Sequence, residues 1–356
     1  MGYGDYIHWT AVIRDLYKYI NTGTIEERIN KINKFKIGNK KYGVEKFKKD
    51  NDTDDFKFFI FVKNANCPFS KQREAKEVFY NNPYVIKSPA KYPNVILFTI
   101  VSSDYFIVSE KRFLDHKHVV EQYCEKLGLK EFSNHGDLHF TDKEIEKVKK
   151  YLPEKDFIFI EPVNHKPGRS FPFEKYQQLV DTFKDEHFIQ ISPEKFGVMD
   201  NKILKNVTSY IGKFTYRETI LFMNYAKLCI VNHGGLSIGS AVKKTKTISI
   251  YSAMFNPRMT TFNSEISIYV ANENHQSCGT LDGNYVAFKK KFPNGCPNCW
   301  KLFCQYDVNN LFEITKKALL NLYFIFSSII DVLIFSSKFE IIISIFGNFS
   351  FKSSIL

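Results

Sequence analysis

The stretch that decides the fold is Ile230-Val-Asn-His-Gly-Gly-Leu-Ser-Ile-Gly-Ser-Ala241. The apolar residues up to Val231 predict a short buried strand, and the small residues that follow predict the start of a helix. Glycines let a ligand approach the backbone, and a helix start offers unpaired N–H groups to an anion. We therefore expect phosphate binding at Gly234, Gly235, Leu236 and Ser237. A tight strand-to-helix connection without a ligand is the alternative.

The composition allows a chain of two ordinary domains with a real core. It has 356 residues, of which 44% are hydrophobic and 35 are Phe. The net charge of +12 and the pI of about 9.1 suit an anionic partner. The lysines are scattered, however, as on a solvated surface, and no nucleic-acid-binding motif is present. We expect no nucleic acid partner.

The cysteines indicate a reducing compartment. Seven Cys in a chain of this length do not suggest a disulfide scaffold, and the first residues lack the basic and apolar regions of a secretory signal. We therefore expect a cytoplasmic protein. Four late cysteines, two of them with Cys-x-x-Cys spacing, are candidate ligands of a structural zinc ion, with free thiols as the alternative: Cys278, Cys296, Cys299 and Cys304.

Predicted strands and helices alternate twice, around a break near residues 152 to 156. This pattern predicts an α/β fold with two domains, 1–152 and 153–320, that have mostly parallel sheets. Residues 321–356 form an atypical tail rich in Phe, Ile and Ser, without a period. We keep three interpretations of this tail: a segment in peripheral contact with a membrane, a cover for the last helix, and a segment with no function of its own.

Four motifs follow one another along the chain. The first is Gly2-Tyr-Gly-Asp5, and the second is Pro162-Val-Asn-His-Lys-Pro-Gly-Arg-Ser-Phe-Pro172. The third combines the stretches Ile211–Thr215 and Val231–Ser237, and the fourth is Asn256-Pro-Arg-Met-Thr260. In this order and spacing they resemble glycosyltransferase family 9, the heptosyltransferase family. The resemblance runs from residue 2 to about residue 320. It implies a GT-B fold of two Rossmann-like domains facing a cleft, with the acceptor bound by the first and the donor by the second.

The resemblance also implies the activity. It points to a transferase that moves a heptose-like sugar or another hexose from a nucleotide-diphosphate sugar to a glycan or glycolipid, as in lipopolysaccharide biosynthesis. Transfer would be inverting and independent of a metal or other cofactor. A catalytically inactive GT-B-shaped protein that binds a nucleotide or glycan is the alternative.

Individual roles follow from matching positions. Asp5 matches the aspartate that such enzymes are thought to use as general base, although an aspartate there could simply cap a helix. Arg169 matches a lysine that would balance the charge of the leaving diphosphate. Asn164 and His165 match small hydroxyl residues that contact phosphate. His233 stands where many members have an acidic residue, and it would be either structural or a phosphate or ribose contact.

One departure from the family concerns the start of the chain. The Gly-x-Gly-Asp loop normally follows the first strand of the acceptor domain, whereas here it begins one residue after Met1. We therefore expect that the first strand of this domain is missing, and that a chain begun upstream would be more stable because a central parallel strand is buried on both faces.

Overall fold

The computed structural model describes residues 2–34, 57–63, 73–92, 94–100, 117–164, 171–194, 202–243, 245–252, 260, 262, 265–270 and 308–320. Contacts divide the chain into two units, Met1–Val308 and Asn309–Leu356.

The first part of the chain builds helices around a small parallel sheet. The strands are β1 (Phe59–Val62) and β2 (Val95–Phe98), which pair in parallel with Phe59 opposite Val95. The helices are α1 (Tyr3–Asn21), α2 (Ile25–Lys34), α3 (Arg73–Val78), α4 (Val119–Lys126) and α5 (Asp142–Lys149), with a 3-10 turn at Pro89–Lys91.

The second part of the chain builds a six-stranded, fully parallel sheet in the order β5-β4-β3-β6-β7-β8. The strands are β3 (Ile158–Glu161), β4 (Phe188–Ser192), β5 (Thr208–Ile211), β6 (Leu228–Asn232), β7 (Thr247–Ser252) and β8 (Glu265–Val270), and the helices between them are α6 (Phe173–Thr182), α7 (Tyr216–Met223) and α8 (Gly235–Val242). Strands β4 and β5 follow β3 on one side of the sheet, and strands β7 and β8 follow β6 on the other side. In sheets of this Rossmann-type order, ligands bind in a crevice beyond the carboxyl ends of the two central strands, which are β3 and β6 here.

Helix α1 is central to the core. Ile7, Ala11, Val12 and Ile13 are completely buried, and so are residues on its other faces, such as Thr10. It packs on α3, α4 and α8, so both parts of the chain contribute to its surroundings. A helix that is buried all round is an internal element rather than an amphipathic surface helix.

The structure confirms the α/β class and the parallel sheets, with two differences. The Gly-x-Gly-Asp segment is the first turn of α1 rather than a loop. Residues 84–86, whose sequence Tyr-Val-Ile after Pro83 predicts a short strand, form only a single bridge between Val85 and Ile60. The break near residue 152 falls between the two sheets, and the division into two Rossmann-like domains, the missing first strand and the exact boundaries stay predictions.

The last described helix is α9 (Val308–Leu319), and it agrees with the helical spacing of the apolar residues in 309–320, which predicts a helix with Lys316 and Lys317 outward. Leu311, Thr315 and Ala318 form its buried face, while Lys316 and Lys317 are exposed as expected. The predicted tail lies outside the described residues. Among the helices that the structure describes, none combines the length and the apolar character needed to cross a membrane.

Candidate functional site

The crevice between β3 and β6 is held together by Asn232, the last residue of β6. Its Nδ2 donates to the carbonyl of Glu161 at the end of β3, at 2.9 Å, and its Oδ1 accepts from the amide of Phe171, at 2.8 Å. The Asn232 side chain is completely buried. It therefore fixes the carboxyl ends of the two strands and the segment that leads into α6 relative to each other.

Helix α8 starts directly beyond this crevice. The amide of Gly234 donates to Oγ of Ser237 at 3.0 Å, and the Ser237 hydroxyl lies 3.0 Å from the Gly234 carbonyl. Ser237 is buried and caps the helix, whereas Gly235 and Leu236 are partly exposed. The amides of the first helical turn have no acceptor within the helix. The exposed start of α8 is therefore made by Gly235 and Leu236.

Gly234 and Asn164, which were both predicted to contact the donor, lie next to each other. A methyl group added to Gly234 would lie 2.9 Å from Nδ2 of Asn164, closer than the packing allows. Glycine at position 234 thus makes room for this amide. The structure brings together the start of the segment after β3 and the turn after β6.

His233 is buried beside this turn. Its ring stacks on Tyr251 with a centroid distance of 4.1 Å, and its Nε2 lies 3.4 Å from the hydroxyl of Thr260. Its backbone amide donates to the Ile250 carbonyl. The side chain is only 4% exposed, so packing with Tyr251 accounts for its position.

The start of α1 meets the start of α8. A methyl group on Gly4 would lie 2.6 Å from Cδ1 of Ile238 and 3.7 Å from the Cα of Gly235. Asp5 is half-buried in the same turn, and its Oδ2 accepts a 2.7 Å hydrogen bond from the amide of Gly2. The capping role of Asp5 is therefore present. A side chain at position 4 would have to displace the end of the Ile238 side chain.

Two stacked tyrosines line the junction between the helix starts. The rings of Tyr3 and Tyr216 are 3.6 Å apart, and the Tyr216 hydroxyl donates to the Gly235 carbonyl at 2.6 Å. The Tyr3 hydroxyl donates to Glu77 at 2.8 Å. Burial, and then this bond to Glu77, raise the pKa of Tyr3 above its ordinary value of 10.0. Both phenols thus remain neutral donors at physiological pH and anchor α3 and α7 to the site.

Glu161 is the most unusual group in the crevice. It is 5% exposed, and its Oε2 has no hydrogen-bond partner within the described residues. Burial raises the pKa of Glu161 well above its ordinary value of 4.5, against a smaller opposing contribution from the Asn232 backbone. A protonated carboxyl can donate as well as accept a hydrogen bond.

Replacing Glu161 with glutamine should give a stability difference that depends on pH. The folded-state pKa is raised, so the folded protein holds a proton that the unfolded chain loses above about pH 4.5. Stability of the unaltered protein should fall relative to Glu161→Gln as the pH rises from 4.5 to neutral. The melting temperatures of the unaltered protein and of Glu161→Gln, measured across this pH range, test the prediction. Glu154→Gln, which changes an exposed carboxylate, is the control. A melting-temperature gap that is constant with pH would contradict this account.

The sequence analysis missed Glu161, Asn232 and Tyr216. Glu161 had a signal, because an acidic residue ends the apolar strand Ile158-Phe-Ile160 at the edge where ligands bind. Asn232 had the same signal, because it ends the apolar strand Leu228–Asn232 directly before the glycine turn. Tyr216 had none, since its importance depends on partners far away in the chain.

Several predicted residues lie outside the described residues: His165, Arg169, and the candidate zinc ligands Cys278, Cys296, Cys299 and Cys304. The predicted roles of these residues stay predictions. Within the described ranges, no group of three or more His, Cys, Asp or Glu side chains is arranged to hold a metal ion.

Known proteins that are similar to this chain were found among solved structures, but not among family models or curated sequences. No protein-family model matches the sequence, and no curated protein is significantly similar to it. The bacterial iron-containing dodecameric glycosyltransferase TibC from enterotoxigenic E. coli H10407 matches with a TM-score of 0.50 and 11% identity, covering 74% of this chain and 76% of TibC.

Two further solved structures are similar over a smaller share. A family 9 glycosyl transferase from Veillonella parvula DSM 2008 has a TM-score of 0.41 and 16% identity, with 58% of this chain and 61% of that chain covered. The E. coli heptosyltransferase WaaC with ADP has a TM-score of 0.33 and 14% identity, with 50% and 56% covered. The chain thus spans less than two thirds of the length of either protein.

The match to TibC agrees in fold with the resemblance that the sequence motifs carried, and at this identity it concerns the fold alone. In its α/β fold, this chain is similar to a solved glycosyltransferase.

Proposed function

We propose that this chain is a glycosyltransferase that moves a heptose-like sugar or another hexose from a nucleotide-diphosphate sugar to a glycan or glycolipid acceptor. The observation that carries the proposal is the meeting of two helix starts, α1 and α8, at the ligand-binding edge of a Rossmann-type sheet. Each start carries a partial positive charge and unpaired amides. A diphosphate is the kind of anion that such a junction attracts.

In this proposal the donor diphosphate binds at Gly235 and Leu236, where the start of α8 is partly exposed. Gly234 and Asn164 shape the neighbouring wall, since the amide of Asn164 occupies the space that a side chain at position 234 would need. The helix-start amides would stabilise the negative charge that grows on the leaving diphosphate. Arg169 would add a full positive charge, and no metal would be required for the transfer.

Asp5 would act on the acceptor. Transfer with inversion needs a base that takes the proton of the acceptor hydroxyl as its oxygen attacks the anomeric carbon and the nucleoside diphosphate leaves. Within the described residues, the side chain of Asp5 accepts one hydrogen bond, from Gly2 to Oδ2. The remaining oxygen, Oδ1, can therefore receive the proton. We place the reaction in the cytoplasm, with a lipopolysaccharide-type glycan as acceptor and peripheral membrane contact through the tail.

The hydrogen bond between Gly2 and Asp5 also favours a second candidate. A carboxylate that caps its helix has a sufficient structural role without catalysis. The chain would then be an inactive GT-B-shaped protein that binds a nucleotide or glycan at the same helix starts.

A donor screen separates the two candidates. The purified chain is incubated with nucleotide-diphosphate sugars that differ in base and sugar, and thermal stabilisation and release of nucleoside diphosphate are measured in parallel. The transferase account predicts one donor class that both stabilises the protein and is turned over. Stabilisation without turnover, with acceptor glycans present, would support the inactive binding protein. If no nucleotide stabilises the chain, both candidates are wrong.

A further inference from the structure

A second pocket lies away from the proposed donor site. It has a volume of about 810 Å³ and is lined by residues 76, 79–83, 85–87, 139, 140 and 243. Helix α8 connects the two places, because Gly235 is at its start and Lys243 directly follows its end. Eight residues of α-helix span about 12 Å. We call this the basic pocket.

The charges that line the basic pocket are all positive. Lys76, Lys87 and Lys243 contribute ammonium groups, and the described lining includes no Asp or Glu. Burial, followed by the charges of Lys243 and Arg217 and opposed by Asp137, holds the pKa of His139 below its ordinary value of 6.5. The imidazole is therefore neutral at pH 7. Lysines are compact point charges that suit phosphate or carboxylate groups.

The walls of the pocket are aromatic. Lys87 lies 5.6 Å from the Tyr80 ring, and Lys243 lies 5.5 Å from the Phe140 ring. Arg217 approaches the same two rings, at 5.4 and 5.1 Å. The rings thus offer a flat apolar surface that is held in place by Arg217.

Two polar groups of the lining lack partners. Asn82 is 5% exposed, its Oδ1 accepts from the amide of Tyr84, and its Nδ2 has no hydrogen-bond partner within the described residues. Nε2 of His139 also has no hydrogen-bond partner within the described residues. Both atoms are enclosed by protein and have no surface open to the pocket, so neither of them identifies a ligand.

We propose that the basic pocket binds a small phosphate ester with an aromatic or apolar body, at a site separate from the proposed donor site. The phosphate would contact Lys87 and Lys243, and the body would lie against Tyr80 and Phe140. The volume is in the range of ligand pockets, which is roughly 300–1,000 Å³. The ester could be a soluble metabolite or the headgroup region of an anionic lipid, which share this chemistry.

The test uses 1-naphthyl phosphate as the probe and the full chain in calorimetric titrations. Inorganic phosphate and 1-naphthol are the two half-ligands, and each should bind more weakly than the ester. Lys87→Gln combined with Lys243→Gln should weaken binding about tenfold or more, since each loses a charge-assisted contact. Both lysines are exposed, so the variant should fold. Lys150→Gln, an exposed lysine elsewhere, is the matched control and should bind normally.

Two results would overturn the proposal. The first is that 1-naphthyl phosphate binds no better than inorganic phosphate, and the second is that the double variant binds as well as the control. Affinity of the double variant for nucleoside diphosphate should be unchanged, and a parallel loss would show that there is one site rather than two. This readout keeps the proposal independent of the transferase account.

Vesicles then identify the source of the ester. Phosphatidylcholine vesicles with and without phosphatidic acid are sedimented with each variant. Binding that needs phosphatidic acid and both lysines supports the proposal with a lipid ligand. Binding of the soluble ester without vesicle binding supports it with a metabolite.

Discussion

Replacing Asp5 with asparagine is expected to lower the rate of sugar transfer about a hundredfold or more, with unchanged donor affinity. Asparagine keeps the side-chain oxygen that accepts the bond from Gly2, so the cap of α1 survives. It cannot take up the proton of the acceptor hydroxyl, and loss of a general base has an effect of this order. Initial rates at saturating donor, together with titration of nucleoside diphosphate, provide the measurement.

Two controls separate catalysis from capping at position 5. Asp142→Asn changes an exposed acid in the first turn of α5 and should leave the transfer rate unchanged. Asp5→Ala removes both the base and the cap, so it should lower stability by about 1 kcal/mol in addition to the rate. Near-normal transfer by Asp5→Asn would leave Asp5 with the capping role alone.

The largest loss of stability is expected from Arg217→Met, about 3–5 kcal/mol in the free energy of unfolding. Arg217 is 4% exposed and donates to both carboxylate oxygens of Glu144, at 2.7 and 3.1 Å. It also donates to the carbonyls of Glu77 and His139, at 2.9 and 2.5 Å. Methionine keeps the apolar part of the side chain but removes all four donated bonds, so that Oε1 of Glu144 loses its charged partner while Thr141 still donates to Oε2. Denaturant unfolding gives the free-energy difference.

The pair of exposed Arg73 and partly buried Glu77 provides the matched control. The Arg73 side chain is 75% exposed, and such an i,i+4 pair contributes about 0.3–0.5 kcal/mol. Arg73→Met should therefore have a small effect. The double variant Arg217→Met with Glu144→Gln should be less destabilised than the sum of the single variants. A loss below 1 kcal/mol for Arg217→Met would contradict the structural role of this network.

Acid should weaken the same network. Burial alone would raise the pKa of Glu144, but hydrogen bonds from Arg217 and Thr141 outweigh it and hold the pKa below the ordinary value of 4.5. The stabilisation is present above pH 4.5 and is lost as the pH falls through the lowered pKa.

Much of the second sheet could be predicted from local sequence. The apolar runs of β3, β4, β6 and β7 and the glycine turn before α8 carry their own signals, because buried parallel strands and helix starts have characteristic local compositions. Strand β5 was missed because its residues, Thr-Ser-Tyr-Ile, form a half-buried edge strand with little apolar signal. Helix α2 had a local signal that was not used, because Ile25, Ile29 and Ile32 recur at helical spacing among charged and polar residues.

The candidate site was harder to predict from the sequence, because its geometry depends on residues that are far apart along the chain. Gly2-Tyr-Gly-Asp5 suggested a loop, yet it begins a helix whose Gly4 packs on Ile238, more than two hundred residues away. The capping box of Thr215 and Glu218 indicates where α7 starts. No local pattern shows that Arg217 in that turn pairs with Glu144. Long-range packing decided these features.

The most direct test of the central claim compares Leu236→Glu with Leu236→Gln in titrations of nucleoside diphosphate. Position 236 is partly exposed in the first turn of α8, where an acidic side chain favours the helix but repels a bound phosphate. The two side chains have the same size and differ in charge. We expect Leu236→Gln to retain binding and Leu236→Glu to bind at least about tenfold more weakly, with the difference shrinking at high salt. Equal affinities for the two variants would contradict a diphosphate site at the start of α8.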